Sequence, residues 1–194
     1  MEKYNNVLNC DTKEEFYDWL KKNHNKQNEC FIECKKGKIK ENKDIFYYID
    51  AVYMALCFGW IDSTQKIING IRYQRFSPRK KNSHWSELNK ARCLWLIENE
   101  LMTNDGLKVL PDLDEEFEVD KDILKSLKKD KETWNNYKKF PELYKRVRIG
   151  NIQREKKKSE AYNKALKHFL EETKDNNMFG EWDDNGRLKN IYEK

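Results

Sequence analysis

The sequence predicts an α+β fold: a small antiparallel sheet with covering helices, followed by a carboxy-terminal helical bundle. Residues 60–76 contain two β-type runs around Asn69-Gly70, a pair that tolerates the positive φ angles of a tight hairpin turn. Apolar residues recur at helical spacing before this hairpin, and a long helical pattern covers residues 121–173. With 194 residues and 13% aromatic side chains, the chain is long enough to bury a core.

The first predicted element is a helix that begins after Thr12. Thr12 is placed to cap it, and Glu15 three positions later completes a capping box. The apolar face of this helix comprises Phe16, Trp19 and Leu20. We expect the helix to end near Lys22, and residues 29–35 to form a short strand.

A polar loop over residues 35–44 ends in Asp44, a suitable N-cap for a buried helix. The helical spacing rests on Ile45, Ile49, Val52 and Leu56. Gly59 is a natural terminator. The apolar run 45–61 contains Asp50 and is shorter than the ~20 residues of a membrane span, so we predict a buried helix and no membrane span.

The Asn69-Gly70 turn sets the expected hairpin register. It places Ile68 opposite Ile71, Ile67 opposite Arg72, Lys66 opposite Tyr73, Gln65 opposite Gln74 and Thr64 opposite Arg75. Arg72 and Arg75 then lie on opposite faces. After the hairpin, Ser83 or Ser86 is expected to cap a helix that ends at Glu98. Its core-facing residues would be Leu88, Ala91, Leu94 and Trp95. Thr103 is expected to start another short helix.

The carboxy-terminal half begins after an acidic segment. We divide the chain into an α+β domain over residues 1–111, an acidic linker over 112–122 and a helical region over 123–194. The linker has seven acids against Lys121 alone. Helices are expected near residues 121–129, 131–139, 141–157 and 159–173. Residues 179–194 form a polar tail whose Asp-Asn-Gly could turn a small hairpin.

Composition excludes several classes of function. The amino terminus has no apolar stretch of signal-peptide length, so we expect a cytoplasmic protein. The five cysteines contain no C-x-x-C, which argues against a disulfide framework and against a zinc site. No glycine-rich phosphate loop, HExxH or GxSxG pattern is present, and we expect neither a metal nor a cofactor.

The most informative segment is the basic one around the hairpin. Residues 64–92 carry eight Lys or Arg residues and a single acid, Glu87. Arginine offers planar bidentate donors to phosphate or carboxylate, and a helix amino terminus offers free N–H groups. The candidate ligand-binding residues are Trp60, Asp62, Arg72, Arg75, Arg79, Ser83, Trp85, Ser86 and Asn89. The alternative is that the serines only cap a helix and the arginines are solvated or pair with Asp62.

The same segment carries a resemblance to a known family. ALCFGWIDS, then YQRFSPRKKNSHWSELN, then LMTNDGL follow the ordered pattern of the YdeI/OmpD-associated family, also called OmdA-like or bacteriocin-protection proteins. KEEFYDWLKKNH upstream and the helical residues downstream extend the resemblance over roughly residues 12–170. It implies tolerance of antimicrobial peptides or envelope stress, without an established reaction. We therefore expect a protein that binds an anionic small molecule or partner.

Two other functions are open at this point. Asp62 could act as a base in a hydrolase or transferase that takes a phosphorylated substrate, although a salt bridge suits a single acid better. Trp60, Trp85 and Trp95 could stack on bases in a nucleic-acid accessory protein, although most Trp residues in a small domain are core. We expect no specific nucleic acid. Cys57 is a poor candidate nucleophile, because a helix carboxyl terminus disfavours the thiolate.

Overall fold

The computed structural model describes residues 4–37 and 45–193 and has the α+β fold that the sequence predicts. The chain divides into two compact units. The first holds the described residues of Met1–His84 together with Cys93–Pro111. The second holds Trp85–Arg92 together with the described residues of Asp112–Lys194. One helix therefore contributes its first turns to the second unit and its last turns to the first.

The sheet and its covering helices precede residue 112. In chain order the elements are β1 (Val7–Leu8), α1 (Lys13–Asn23), β2 (Cys30–Ile32), α2 (Tyr48–Cys57), β3 (Trp60–Ile68), β4 (Ile71–Pro78), α3 (Glu87–Glu98) and α4 (Asn104–Leu107). Within the described ranges the strands form one four-stranded sheet in the order β1-β2-β4-β3. β4 is antiparallel to both neighbours, whereas β1 is parallel to β2, a pair that the sequence pattern did not predict.

The hairpin register is confirmed next to the turn and wrong beyond it. Asn69 and Gly70 both have positive φ, 51° and 82°, and the four predicted pairs from Ile68↔Ile71 to Gln65↔Gln74 are formed. The register shifts between Asp62 and Gln65, so Thr64 is not paired with Arg75. A β-bulge of this kind inserts an extra residue into one strand, which hydrophobic alternation alone does not reveal.

Helix α1 begins and ends close to the predicted positions. The Thr12 hydroxyl accepts from the Glu15 amide at 3.2 Å and the Glu15 carboxylate returns to the Thr12 amide, which is the predicted capping box. Phe16 and Leu20 are fully buried. Phe16 lies 5.4 Å from the Phe76 ring of β4, so α1 packs on the core face of the sheet.

Helix α2 begins later than predicted. Asp44, the expected cap, lies outside the described residues. Ile45 precedes the helix and Ile49 is only half-buried. The backbone at Lys35 pairs with Tyr47, which holds this stretch extended and delays the first helical turn to Tyr48. The buried residues of α2 are Ala51, Val52, Tyr53, Ala55, Leu56 and Cys57.

Helix α3 is capped by Ser86, because the Asn89 amide donates to its hydroxyl at 3.2 Å. Ser83 does not cap it. Three of the expected core residues, Leu88, Leu94 and Trp95, are only half-buried. The fully buried positions are Ala91, Cys93 and Leu96. The short helix expected after Thr103 is formed, and Thr103 caps it.

The second unit contains the predicted run of helices. They are α5 (Lys121–Leu127), α6 (Lys131–Lys139), α7 (Glu142–Arg154) and α8 (Ser159–Lys174). Their core is aromatic and aliphatic and comprises Ile123, Leu127, Tyr137, Phe140, Tyr144, Ile149, Ile152 and Phe169. Residues 112–120 have no regular structure, yet Phe117 and Val119 pack against this core.

The tail after α8 folds into successive turns. The suggested small hairpin is not formed: Asp184, Asn185 and Gly186 all have positive φ, but the described residues on either side of them form turns and bends and not strands. Leu188 and Ile191 of the tail are buried. Among the described residues, no helix combines the length and the apolar character needed to cross a membrane.

Candidate functional site

Trp60, at the start of β3, is part of the core of the first unit. Its side chain is 1% exposed, and its indole N–H donates to the His24 carbonyl at 3.1 Å. The Trp19 ring meets it edge to face at 5.9 Å. An indole enclosed in this way has no open face on which a base or a sugar can stack.

Asp62 lies two residues further along β3 and is half-buried. The Tyr48 hydroxyl, from the first turn of α2, donates to its carboxylate at 2.6 Å. The Lys36 ammonium group lies 4.7 Å from the centre of the Tyr48 ring. Sequence reasoning missed both the Tyr48–Asp62 hydrogen bond and the Lys36–Tyr48 contact, because neither Lys36 nor Tyr48 belongs to a recognisable motif.

Arg75, in the middle of β4, is held by neighbours in the sheet. Its Nε donates to the Glu29 carboxylate at 2.6 Å, and its Nη1 donates to the Ser63 hydroxyl at 2.9 Å and to the Ser77 hydroxyl at 3.4 Å. This guanidinium therefore links β4 to the residue immediately before β2 and to the bulged part of β3. The Ser63 contact depends on the bulge.

Arg72 lies at the other end of β4, where it is exposed. β2 pairs with β4 only from Gln74 to Phe76, so Arg72 belongs to a two-stranded part of the hairpin. The six residue steps from Arg72 to Pro78 span about 20 Å at the rise of an extended strand. Arg72 and Arg79 consequently do not meet around one phosphate-sized anion.

Arg79 anchors the loop that follows β4. Its amide donates to the Gly59 carbonyl at 2.9 Å, and its Nη2 donates to the His84 carbonyl at 2.9 Å. Burial lowers the pKa of the Arg79 guanidinium, and the negative charge of Asp62 acts in the opposite direction. The guanidinium is thus a partly desolvated cation at the base of a closed loop.

The loop itself, residues 79–84, carries three cations and no acid. Lys80 and Lys81 are exposed. A tight turn brings the Ser83 amide to the Lys80 carbonyl at 2.9 Å, and the Ser83 hydroxyl donates to the same carbonyl at 2.8 Å. We call residues 79–84 the basic loop. Its backbone is fixed at both ends while its lysine side chains face solvent.

Three of the predicted site residues, Trp85, Ser86 and Asn89, belong to the second unit. Ser86 caps α3, and the Asn89 side-chain oxygen accepts from Arg92 at 2.8 Å. Arg92 in turn forms two hydrogen bonds to the Asp184 carboxylate, at 2.7 and 2.9 Å. The Ser86 hydroxyl and the Asn89 side-chain oxygen therefore both have hydrogen-bond partners within the fold. The Arg92–Asp184 pair has no sequence signal, since its members are 92 positions apart.

The cysteines are poor nucleophiles in this structure. Burial raises the pKa of Cys57 to about 12 and that of Cys34 to about 12. Burial also raises the pKa of Cys30. Within residues 4–37 and 45–193, no group of three His, Cys, Asp or Glu side chains is placed to hold a metal ion.

The fold and these contacts define a class: an α+β domain with a basic loop closed by a half-buried arginine, joined to a helical unit. Residues 8–109, just over half of the chain, match the model of a family described as a domain of unknown function, DUF8412, and the chain belongs to that family. No curated protein and no solved structure matches the chain.

Proposed function

We propose that this chain is a cytoplasmic protein of the bacteriocin-protection type, which binds an anionic small molecule or an anionic segment of a partner at the basic loop. The observation that carries the proposal is the half-buried Arg79 guanidinium, which donates to the His84 carbonyl and is followed in the sequence by two exposed lysines. A fixed cation with reduced hydration attracts an anion more strongly than a fully solvated one does.

The charges around the loop also favour an anion. Lys80 and Lys81 add two positive charges beside Arg79, and the loop has no acid of its own. The acid whose charge acts on Arg79 is Asp62, and Tyr48 already holds the Asp62 carboxylate. Asp62 then serves to orient the site while the lysines supply the excess positive charge.

The type of biological role comes from the resemblance of residues 55–89 to the YdeI/OmpD-associated proteins. The resemblance includes the basic loop and the residues on both sides of it. It supports a role in tolerance of antimicrobial peptides or envelope stress. Survival of cells that express the chain, under challenge with a cationic antimicrobial peptide, tests this role. We expect protection with the natural chain and less with Lys80→Ala/Lys81→Ala.

The binding step has a direct test. A ligand that binds only the native state, at ~100 times its dissociation constant, stabilises the fold by about 2.7 kcal/mol. We expect sulfate to raise the thermal midpoint relative to chloride at matched ionic strength. The variant Lys80→Ala/Lys81→Ala should lose this gain. The lysine variant is a more specific test than Arg79→Ala, because Arg79→Ala also removes the hydrogen bond to the His84 carbonyl.

The matched control is Lys21→Ala/Lys22→Ala, which removes two exposed lysines from the last turn of α1. Its net charge equals that of the loop variant, so it should keep the full sulfate gain. Equal gains in the natural chain and the loop variant would contradict the anion site. A loss in both variants would mean that sulfate acts through net charge alone.

A second candidate function has its own observation, the 2.6 Å hydrogen bond between Tyr48 and Asp62. A carboxylate held in one orientation beside Arg79 is a possible base in a hydrolase or transferase with a phosphorylated substrate. Release of phosphate from p-nitrophenyl phosphate measures this activity. Turnover that disappears in Asp62→Asn would favour the enzyme, and no turnover in the natural chain would count against it.

A further inference from the structure

The end of the β3–β4 hairpin is an apolar and basic surface that no further strand of the described residues covers. From Gln65↔Gln74 to the turn, the two strands pair with each other, and β2 reaches β4 only at residues 74–76. An isolated two-stranded hairpin is marginally stable in water. We call residues 65–73 the hairpin tip.

Isoleucines lie exposed at this tip. Ile67 is 68% exposed, the largest value among the exposed large hydrophobic residues, and Ile71 is 42% exposed. The register puts Ile67 on one face of the ribbon, and Ile68 with Ile71 on the other. Both faces of the tip are therefore apolar next to the turn. On the second face Ile68 and Ile71 are cross-strand neighbours, so these two side chains form one apolar patch beside the turn.

The charges at the tip all have one sign. Residues 63–78 contain Lys66, Arg72 and Arg75 and no acid. Arg75 is paired with Glu29, whereas none of the described acids forms an ion pair with Lys66 or Arg72. Each face of the tip thus carries exposed isoleucine beside one uncompensated cation.

We propose that the hairpin tip binds the surface of an anionic lipid bilayer, with the isoleucines at the boundary of the acyl chains and Lys66 and Arg72 on the headgroups. Binding at such an interface grows with buried apolar area and with attraction to anionic lipid. A protein groove would cover one face of a ribbon, but here both faces are apolar. Pairing through the β3 edge is disfavoured by Lys66 and by the bulge. This surface is independent of the basic loop.

Co-sedimentation of the full chain with lipid vesicles tests the charges. We expect binding to phosphatidylcholine vesicles only when phosphatidylglycerol is present, and weaker binding as salt is added. Lys66→Gln/Arg72→Gln should lower the affinity about 30-fold, from two headgroup contacts. The matched control, Lys21→Gln/Lys22→Gln, should bind as the natural chain does.

The apolar part has a separate test. Ile67→Ser/Ile71→Ser should lose vesicle binding, whereas Ile97→Ser/Leu107→Ser, at two exposed positions of α3 and α4, should keep it. All four side chains are exposed, so both variants should unfold near the natural temperature. An Ile67→Trp variant should gain quenching by brominated acyl chains, which reports insertion directly.

Three results would overturn the proposal. The first is vesicle binding that does not depend on phosphatidylglycerol. The second is vesicle binding by Ile67→Ser/Ile71→Ser with the affinity of the natural chain. The third is binding to duplex DNA that is lost in Lys66→Gln/Arg72→Gln but kept in the serine variant. The third result would mean that the hairpin tip binds nucleic acid and not a bilayer. The hairpin variants should keep the sulfate gain, and Lys80→Ala/Lys81→Ala should keep vesicle binding, so the failure of either site is seen separately.

Discussion

Replacement of Asp184 by asparagine should strongly destabilise the second unit. Its carboxylate accepts two hydrogen bonds from Arg92, at 2.7 and 2.9 Å, and the two side chains are only 3% and 11% exposed. The pair fixes the tail to the first turns of α3 within that unit. Asparagine keeps the size of the side chain but removes the charge that compensates Arg92.

The expected loss is about 3 kcal/mol. Removal of one member of a buried ion pair typically costs about 3–5 kcal/mol, because the other charge stays buried without compensation. The Asn89 oxygen still accepts from Arg92, which places the value at the lower end. Asp184 has φ 50°, a left-handed conformation that asparagine tolerates, so backbone strain adds little.

Urea unfolding, with amide hydrogen exchange of residues 184–191 as a local probe, measures this loss. The control is Lys167→Gln, which breaks an exposed pair with Glu171 and should change stability by no more than about 0.5 kcal/mol. The double variant Arg92→Gln/Asp184→Asn should recover much of the stability, because it buries no lone charge. A loss under about 1 kcal/mol, or a double variant no better than the single one, would refute this reasoning.

Three further predictions use other parts of the chain. The pKa of Cys57, about 12, leaves roughly one thiolate in ten thousand at pH 8, so a disulfide reagent should modify it only after unfolding; rapid reaction in the native state would contradict its burial. Thr12→Ala should cost about 1 kcal/mol in urea unfolding by removing the capping box, and an unchanged midpoint would mean that the cap adds nothing. A glutamate-specific protease should cut first at the exposed Glu115 or Glu116. First cleavage inside an α-helix would show that residues 112–120 are better protected than their exposure indicates.

Local rules predicted much of the fold. The Asn69-Gly70 turn determined four cross-strand pairs because a type I′ turn admits one register. The capping box of α1 was predictable because its two side chains bond to backbone within three residues of each other. Helices α5 to α8 were predicted from the long helical pattern over residues 121–173, and all four are formed.

The features that sequence reasoning missed depend on contacts between distant segments. The late start of α2 follows from backbone pairing between Lys35 and Tyr47, which no periodicity reports. The parallel contact of β1 with β2 involves two residues only, too few for an alternating pattern. The bulge in β3 is stabilised by Gln74, whose side-chain amide donates to the Ser63 carbonyl at 2.9 Å.

The candidate site also could not be predicted from residues that are close in sequence. Nine residues were grouped because they are close in sequence, but an extended strand places every second side chain on the opposite face and advances about 3.3 Å per residue. Arg72, Arg75 and Arg79 consequently have three different surroundings: an exposed ribbon, an ion pair with Glu29 and a closed loop. Trp60 was misleading because a large aromatic residue in a motif is more often core than ligand surface.

The absence of acids from residues 63–86 then has a simple explanation. In the middle of this segment, Arg75 is neutralised by Glu29 from a distant part of the chain. At the two ends, none of the described acids forms an ion pair with Lys66 or Arg72, or with Lys80 or Lys81. Excess positive charge costs stability through self-repulsion, and the two proposed anion-binding surfaces would offset this cost at both ends. The basic loop, with a fixed guanidinium, suits a compact anion, and the hairpin tip, with exposed isoleucine on both faces, suits an extended anionic surface.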